Sequence, residues 1–196
     1  MPVLETERLA IRPFVVSDLD VIHRILDVEL AAVNVGTEGP KMLQVRRRWL
    51  DWAVLNYEQL AALNQPPYGD RAVIVKATKE LIGAVGLVPS FNLFERLPGL
   101  RPEGAERPAA LYTPEFGLYY AISVKHQRQG YAVEAAGAMM RYAFTELHVK
   151  RIVATTTYDN AASVGVMRRL GMRVERNPYP DPPWLQLVGI LEQPAS

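Results

Sequence analysis

Gln127-Arg128-Gln129-Gly130-Tyr131-Ala132 is the stretch on which the fold turns. Ahead of it runs a β-prone segment, Glu115 to Ser123, carrying Phe116, Leu118, Tyr119, Tyr120 and Ile122. Behind it, Ala132, Ala135, Ala136, Met139, Met140, Ala143, Phe144 and Leu147 recur at helical spacing. Arg151 to Thr156 then reads as a strand again. Strand, helix and strand in that order predict a βαβ unit with parallel strands and a right-handed crossover. The quoted residues are therefore a strand-to-helix junction. The first N–H groups of a helix have no partner within it, and Gly130 and Ala132 lack bulk over that backbone. With the positive end of the helix dipole this predicts an anion site suited to a diphosphate, and Arg128 adds a fixed positive charge.

A second element follows. Asn160-Ala161-Ala162-Ser163 opens a short helix, with Asn160 as its predicted cap and Gly171 closing it after Leu170. Met172 to Glu175 and Leu185 to Leu191 supply the last strands. Toward the N-terminus, Leu9 to Arg12 is a strand candidate and Ser17 a helix cap, for a helix reaching about Leu30. Lys41 to Leu63 reads as helical, with Val45, Trp49 and Trp52 on one face and Arg46-Arg47-Arg48 on a solvated one. Arg71 to Lys76 and Leu81 to Val88 form a hairpin about Ala77-Thr78-Lys79-Glu80, and Asn34 to Pro40 is turn-rich. Pro89 to Pro114, rich in proline and poor in periodicity, is expected to be a long loop insertion. The expected fold class is α/β to α+β, a mixed sheet with helices on its faces, in one domain spanning 1–196.

The 196 residues suit a single sizeable core, and 49% hydrophobic with 22% charged residues is ordinary for a globular protein. A net charge of +1 argues against a general attraction to nucleic acid or anionic membrane. The chain has no cysteine, which excludes disulfides, thiolate zinc sites and a cysteinyl intermediate. Three scattered histidines form no metal pattern. No apolar run is long enough for a membrane span, and Met1-Pro2-Val3-Leu4-Glu5 lacks a signal-peptide layout. The expectation is a soluble, cytoplasmic protein without a metal.

Taken together, the two elements resemble the GNAT acetyltransferase superfamily. Its coenzyme motif, Gln/Arg-x-x-Gly-x-Gly/Ala, is matched by Gln127, Gly130 and Ala132, and its second motif by Asn160, Ser163, Val166, Gly171 and Met172. Leu4-Glu5-Thr6-Glu7-Arg8-Leu9 through Arg12-Pro13, with Trp184-Leu185-Gln186-Leu187 near the end, is similar to the branch that acetylates ribosomal-protein N-termini. The resemblance implies a mostly antiparallel sheet with one splayed parallel pair, and acetyl-coenzyme A as cosubstrate. Backbone groups at Ile122, Ser123 and Val124 would bind the pantetheine arm, as would Asn160, while Gln127, Arg128, Gln129, Gly130, Tyr131 and Ala132 would hold the diphosphate. Glu115 is the candidate general base and Ser163, near the sulfur, the candidate proton donor. Met167 stands where many members carry a tyrosine acid; Tyr158 and Asp159 precede that helix and could substitute, although a turn role suits them better.

The acceptor implied is a primary amine, first a protein N-terminal α-amine and second a polyamine, aminoglycoside or other small amine. A rival reading is a non-catalytic coenzyme A-binding sensor, kept open by Met167. A dinucleotide fold would need Gly-x-Gly-x-x-Gly, which the chain lacks. Strand edges leave a homodimer open.

Overall fold

The computed structural model describes residues 1–31, 41–104 and 111–193. The elements are β1 (Leu4–Glu5), β2 (Leu9–Arg12), α1 (Leu19–His23), α2 (Leu43–Ala62), β3 (Gly69–Val75), β4 (Leu81–Asn92), β5 (Thr113–Ile122), α3 (Tyr131–Thr145), β6 (Arg151–Thr156), α4 (Ala161–Arg169), β7 (Arg173–Arg176) and β8 (Leu187–Glu192). The strand order is β1-β2-β3-β4-β5-β6-β8-β7. The β1–β2, β2–β3, β3–β4, β6–β8 and β7–β8 pairings are antiparallel, and β5–β6 is parallel. This is the mixed, mostly antiparallel sheet with flanking helices that was expected. The chain forms two compact units, 1–88 with 119–147, and 89–118 with 148–196.

In the first unit, β3 is buried along its whole length. The β3–β4 turn closes through Val75 N–H to Glu80 O at 2.9 Å, with Lys79 in the left-handed region at φ +61°. α1 differs from expectation at both ends. Ser17 does not cap it: Val16–Asp18 form a 3-10 turn, and Asp18 does the capping by accepting the Val15 N–H at 2.9 Å. Beyond His23 the helix widens into a π turn, Arg24–Glu29, closed by Leu30 N–H to Ile25 O at 3.0 Å. The wide turn keeps Ile25, Leu26 and Leu30 all in the core with Phe14, Leu50, Ala72 and Ala84. Each such side chain contributes about 1.5–3 kcal/mol on burial, which outweighs the poorer hydrogen-bond geometry. α3 buries Ala135, Ala136, Met139, Met140 and Ala143, as its periodicity predicts.

α2 buries a face different from the one predicted. Arg46, Leu50, Ala53, Asn56 and Leu60 point inward, while Val45 and Trp52 are exposed. Arg46 is not part of a solvated basic face. It is buried because Asp27 accepts two of its hydrogen bonds, at 2.7 and 2.8 Å, and because it stacks over Trp49 at 4.8 Å. Only Arg47 and Arg48 of that run are exposed.

The second unit holds the β6–β8–β7 ladder, from Arg151↔Glu192 to Thr156↔Leu187. Pro89 to Pro114 is not a featureless loop. β4 continues to Asn92, 3-10 turns cover Phe94–Arg96 and Pro98–Leu100, and β5 begins at Thr113. Phe94, Leu97 and Leu100 are buried with Val153, Leu185, Val188 and Ile190, and these apolar anchors are what a periodicity search passes over. Asn34 to Pro40 and residues 105–110 lie outside the described residues. Trp184 and Leu185 belong to a 3-10 turn ahead of β8 rather than to the strand.

Candidate active site

The junction between β5 and α3 carries two left-handed residues, Arg128 at φ +59° and Gly130 at φ +85°. A non-glycine residue in that region costs about 1–2 kcal/mol, and such strain persists where the surroundings over-determine it. Here the side chain of Gln127 donates to Ile122 O at 3.1 Å and that of Gln129 to Lys125 O at 3.1 Å. Left-handed residues in a turn of this kind aim neighbouring N–H groups at one point, an anion-binding concavity. The N–H groups of Arg128, Gln129 and Gly130 donate to no acceptor among the described residues. Those of Tyr131 and Ala132 open the first turn of α3. Arg128 is exposed, and a Cβ on Gly130 would meet only Arg8 Nη2, at 3.3 Å. The donors, the helix dipole and the open backbone fit a diphosphate.

One charge at this helix start has the wrong sign for an anion. Glu134 lies in the first turn of α3. It is neutralised in place: Arg8 Nε donates to its Oε2 at 2.7 Å, Arg8 N–H and Thr6 Oγ1 donate to its Oε1 at 2.9 and 2.6 Å. Burial alone would raise the carboxyl's pKa, but the bonds from Thr6 and Arg8 outweigh it and hold Glu134 below the usual range. The same guanidinium donates to Gln129 O at 3.0 Å and lies 4.4 Å over the Tyr131 ring. Arg8 thus holds the outer side of the anion loop. The sequence shows Thr6 and Arg8 in a recognisable opening, but nothing in it pairs them with Glu134.

At the end of β5, Ser123 N–H donates to Ile82 O at 2.8 Å, and Ser123 O accepts His126 N–H at 2.8 Å. The Val124 N–H has no acceptor among the described residues and so is available to an extended ligand. Ser123 Oγ donates to Glu29 Oε2 at 2.5 Å. Deeper in the same unit, Asp70 on β3 is 8% exposed. Its Oδ2 accepts the Trp49 indole N–H at 3.2 Å, and its Oδ1 has no partner. Gly86, its neighbour on β4, leaves the room: a Cβ there would lie 2.2 Å from Oδ1. Burial pushes this carboxyl up to about 6, against the opposing Trp49 bond and Arg46 charge. Burial, and then the Asp70 charge, also raise the phenol of Tyr119.

In the second unit, parallel β5–β6 pairing is confined to Phe116↔Ile152 and Gly117↔Val153. Asn160 caps α4, accepting Ser163 N–H on Oδ1 at 3.0 Å. Ser163 is half-buried in the first turn of that helix. Met167 is fully buried beneath Gly189, where a Cβ would sit 3.0 Å from its sulfur; it is a core residue with no proton to give. Tyr158 donates its hydroxyl to Asn177 O at 2.6 Å, and Asp159 accepts from Thr157 Oγ1 at 2.6 Å, so both serve the turn.

Glu115, the candidate base, is paired with a guanidinium. Arg151 donates to both of its oxygens, Nε to Oε2 at 2.9 Å and Nη2 to Oε1. A carboxylate chelated by a guanidinium has its acceptor positions taken by donors that do not give up protons. Among the described residues no group of His, Asp and Glu could hold a metal ion, and no helix is long and apolar enough to cross a membrane.

The acetyltransferase (GNAT) domain pattern matches residues 8–173. Among individual proteins, the chain is 27% identical to the uncharacterized N-acetyltransferase YoaA of Bacillus subtilis, over 89% of this chain and 84% of that protein. It is 41% identical to YnaD of the same organism, a match limited to 33% of this chain and 36% of YnaD. A solved acetyltransferase from Agrobacterium tumefaciens superposes with a TM-score of 0.71 at 24% identity, covering 98% of this chain and 95% of that one. The ribosomal L7/L12 α-N-protein acetyltransferase RimL, solved with coenzyme A, superposes with a TM-score of 0.69 at 14% identity, covering 100% of both chains. A sheet with a short parallel pairing, a turn of unpartnered N–H groups at the start of α3 and a domain match over most of the length lead to one assignment: this chain belongs to the GNAT family of acetyltransferases.

Proposed function

We propose that the chain transfers the acetyl group of acetyl-coenzyme A to a protein N-terminal α-amine. The observation that carries the cosubstrate is the loop from Arg128 to Ala132, with its free N–H groups and two left-handed residues. The diphosphate occupies that concavity and the Val124 N–H meets the pantetheine arm; a role for Asn160 and Ser163 toward the sulfur end is supported by the motif they match in sequence. Ser163 then supplies the proton that the departing thiolate takes up. The α-amine acceptor rests on the opening Leu4 to Arg12 and on the kinship of fold with RimL, a protein named for that acceptor.

An α-amine also matches what the chain offers chemically. Attack on a thioester needs a neutral nitrogen. An α-amine has a pKa of about 8 and a lysine amine about 10.4, so near neutral pH the α-amine is some hundredfold more available. Glu115, the candidate base, is chelated by Arg151, and Met167, where many members carry a tyrosine, has no proton to give, which suits the less demanding acceptor.

Calorimetric titration with acetyl-coenzyme A, with NAD as control, tests the cosubstrate. The expected result is saturable binding of acetyl-coenzyme A alone, abolished by Gly130→Glu, which places a carboxylate in the anion loop. Thiol release is then followed with one peptide in two forms, free or blocked at its α-amine with a lysine retained, and with spermidine and an aminoglycoside. Turnover of the free peptide alone supports the α-amine. Turnover of spermidine or the aminoglycoside alone moves the chain to the small-amine reading, and binding without turnover moves it to the sensor reading.

A further inference from the structure

The geometry at the end of β5 points to a catalytic group: we propose that Glu29, oriented by the Ser123 hydroxyl, is the base that takes the proton from the acceptor's ammonium. The inference rests on the acetyl-transfer reading above. Ser123 stands between Ile122 and Val124, the residues whose backbone is assigned to the pantetheine arm, so a group bonded to its hydroxyl lies beside the strand end assigned to that arm. The hydroxyl is well placed to orient a partner, because Ser123 is 3% exposed and its backbone is held on both sides by Ile82 and His126. It donates to Glu29 Oε2 at 2.5 Å, across nearly the whole width of the unit in sequence.

The π turn is the device that brings Glu29 there. One extra residue in a helical turn rotates every later side chain by about 100°, and such insertions recur at functional sites. Glu29 is the last residue of that turn. Its side chain keeps 15% of its surface, and its nearest cation, Arg24 Nη1, is 3.6 Å from Oε1. The neighbouring carboxylates are all committed. Asp27 takes two bonds from Arg46, Asp70 Oδ1 is closed in over Gly86, and Glu134 is held by Arg8 and Thr6. The remaining titratable groups near this region are Arg24 and Asp27 in the same π turn, Arg46 of α2 paired with Asp27, Asp70 from β3, and His126 in the turn after β5, whose Nε2 lies 3.5 Å from Glu80.

In the step, a proton passes from the ammonium to the Glu29 carboxylate. The freed amine lone pair forms the N–C bond to the thioester carbonyl, the C–S bond breaks, and the nitrogen loses its second proton. Of the two protons lost, one ends on the thiolate and one reaches solvent, so atoms and charge balance.

The test compares wild type, Glu29→Gln, Glu29→Asp and Ser123→Ala with acetyl-coenzyme A and a peptide bearing a free α-amine. Acetyl-coenzyme A affinity by calorimetry is the separate readout for folding and cosubstrate binding. Glu29→Gln is expected to bind acetyl-coenzyme A within twofold of wild type. Its kcat/KM for the peptide should fall about 10²–10⁴-fold, the usual worth of a general base, and the acidic limb of its pH–rate profile should move up to the α-amine's own pKa of about 8. Glu29→Asp should keep part of the activity, and Ser123→Ala should lose less than Glu29→Gln. A Glu29→Gln protein within threefold of wild type overturns the assignment while leaving acetyl transfer intact. A wild type that binds acetyl-coenzyme A yet acetylates no amine, or does not bind it, overturns the transfer reading and this base with it.

Discussion

Replacing Arg8 by alanine would separate two consequences of one side chain. The guanidinium makes a 2.6 Å ion pair with Glu134 Oε2, a 3.0 Å bond to Gln129 O and a 4.4 Å contact over Tyr131. Its side chain is 41% exposed, against 17% for Glu134, so solvent screens the pair. An exposed ion pair contributes about 0.2–1 kcal/mol, a bond to a backbone carbonyl about 0.5–1.5, and an exposed cation–π contact about 0.5–1. These share one group and do not add fully, so a loss of about 1–2 kcal/mol is expected. For a chain of this length about 1 kcal/mol moves Tm by about 2–4 °C, giving a fall of roughly 2–8 °C by calorimetry. The effect on ligand should be out of proportion to that. Arg8→Ala leaves the Glu134 carboxylate uncompensated at the start of α3, beside the assigned diphosphate site. An added repulsion of about 1 kcal/mol at this distance from solvent weakens acetyl-coenzyme A about fivefold. Adding Glu134→Gln should restore most of the affinity but little of the Tm. Affinity within twofold of wild type in Arg8→Ala would mean that the Glu134 charge does not act on the bound ligand. A loss that Glu134→Gln does not relieve would show that Arg8 acts by its own charge instead.

Two further perturbations test the core beneath the site. The Asp70 carboxyl is raised to about 6 from 3.8, so between those values the folded chain holds a proton that the unfolded chain has released. Stability should therefore fall as pH rises through that window, by about 3 kcal/mol in all, and stay reduced above it. Asp70→Asn should raise the urea midpoint at pH 7.5 by the equivalent of about 1–3 kcal/mol and flatten the fall between pH 4 and 6; an unchanged fall would assign the pH dependence to another group. Met167→Ala, which empties the space beneath Gly189, should cost about 2–5 kcal/mol in a urea melt, whereas a residue waiting to serve as a catalytic contact would lower turnover with little change in stability.

What could be read in the sequence was what is local in it. β2 and β6 lie on the predicted residues, α3 buries the predicted stripe, and Asn160 caps α4 through its side chain, because periodicity and capping depend on near neighbours. The junction at Gly130 was legible for the same reason: a glycine between a strand and a helix has few conformations to choose from, and φ +85° is one that favours it. The α2 face shows where locality ends. Val45, Trp49 and Trp52 make the better apolar stripe, yet Arg46 goes inside and Trp52 stays outside. The reason is Asp27, on a different helix, which compensates the buried charge.

The same limit governs the chemistry. Three charged groups considered for the site are each defined by a partner far along the chain: Arg8 by Glu134, Glu115 by Arg151, Glu29 by Ser123. A glutamate looks alike in sequence whether its oxygens are chelated or available, and the π turn that aims Glu29 leaves no mark in hydrophobic spacing, since Ile25, Leu26 and Leu30 satisfy an ordinary helix as well. Glu115 was the natural choice because it lies near the start of the strand assigned to the pantetheine arm, and Arg151 across the parallel pair holds both of its oxygens. The position of a carboxylate on the right strand is thus weaker evidence for a base than the looseness with which its oxygens are held. Glu29, bonded by one hydroxyl and 3.6 Å from the Arg24 guanidinium, is held less tightly than Glu115 and has the stronger claim.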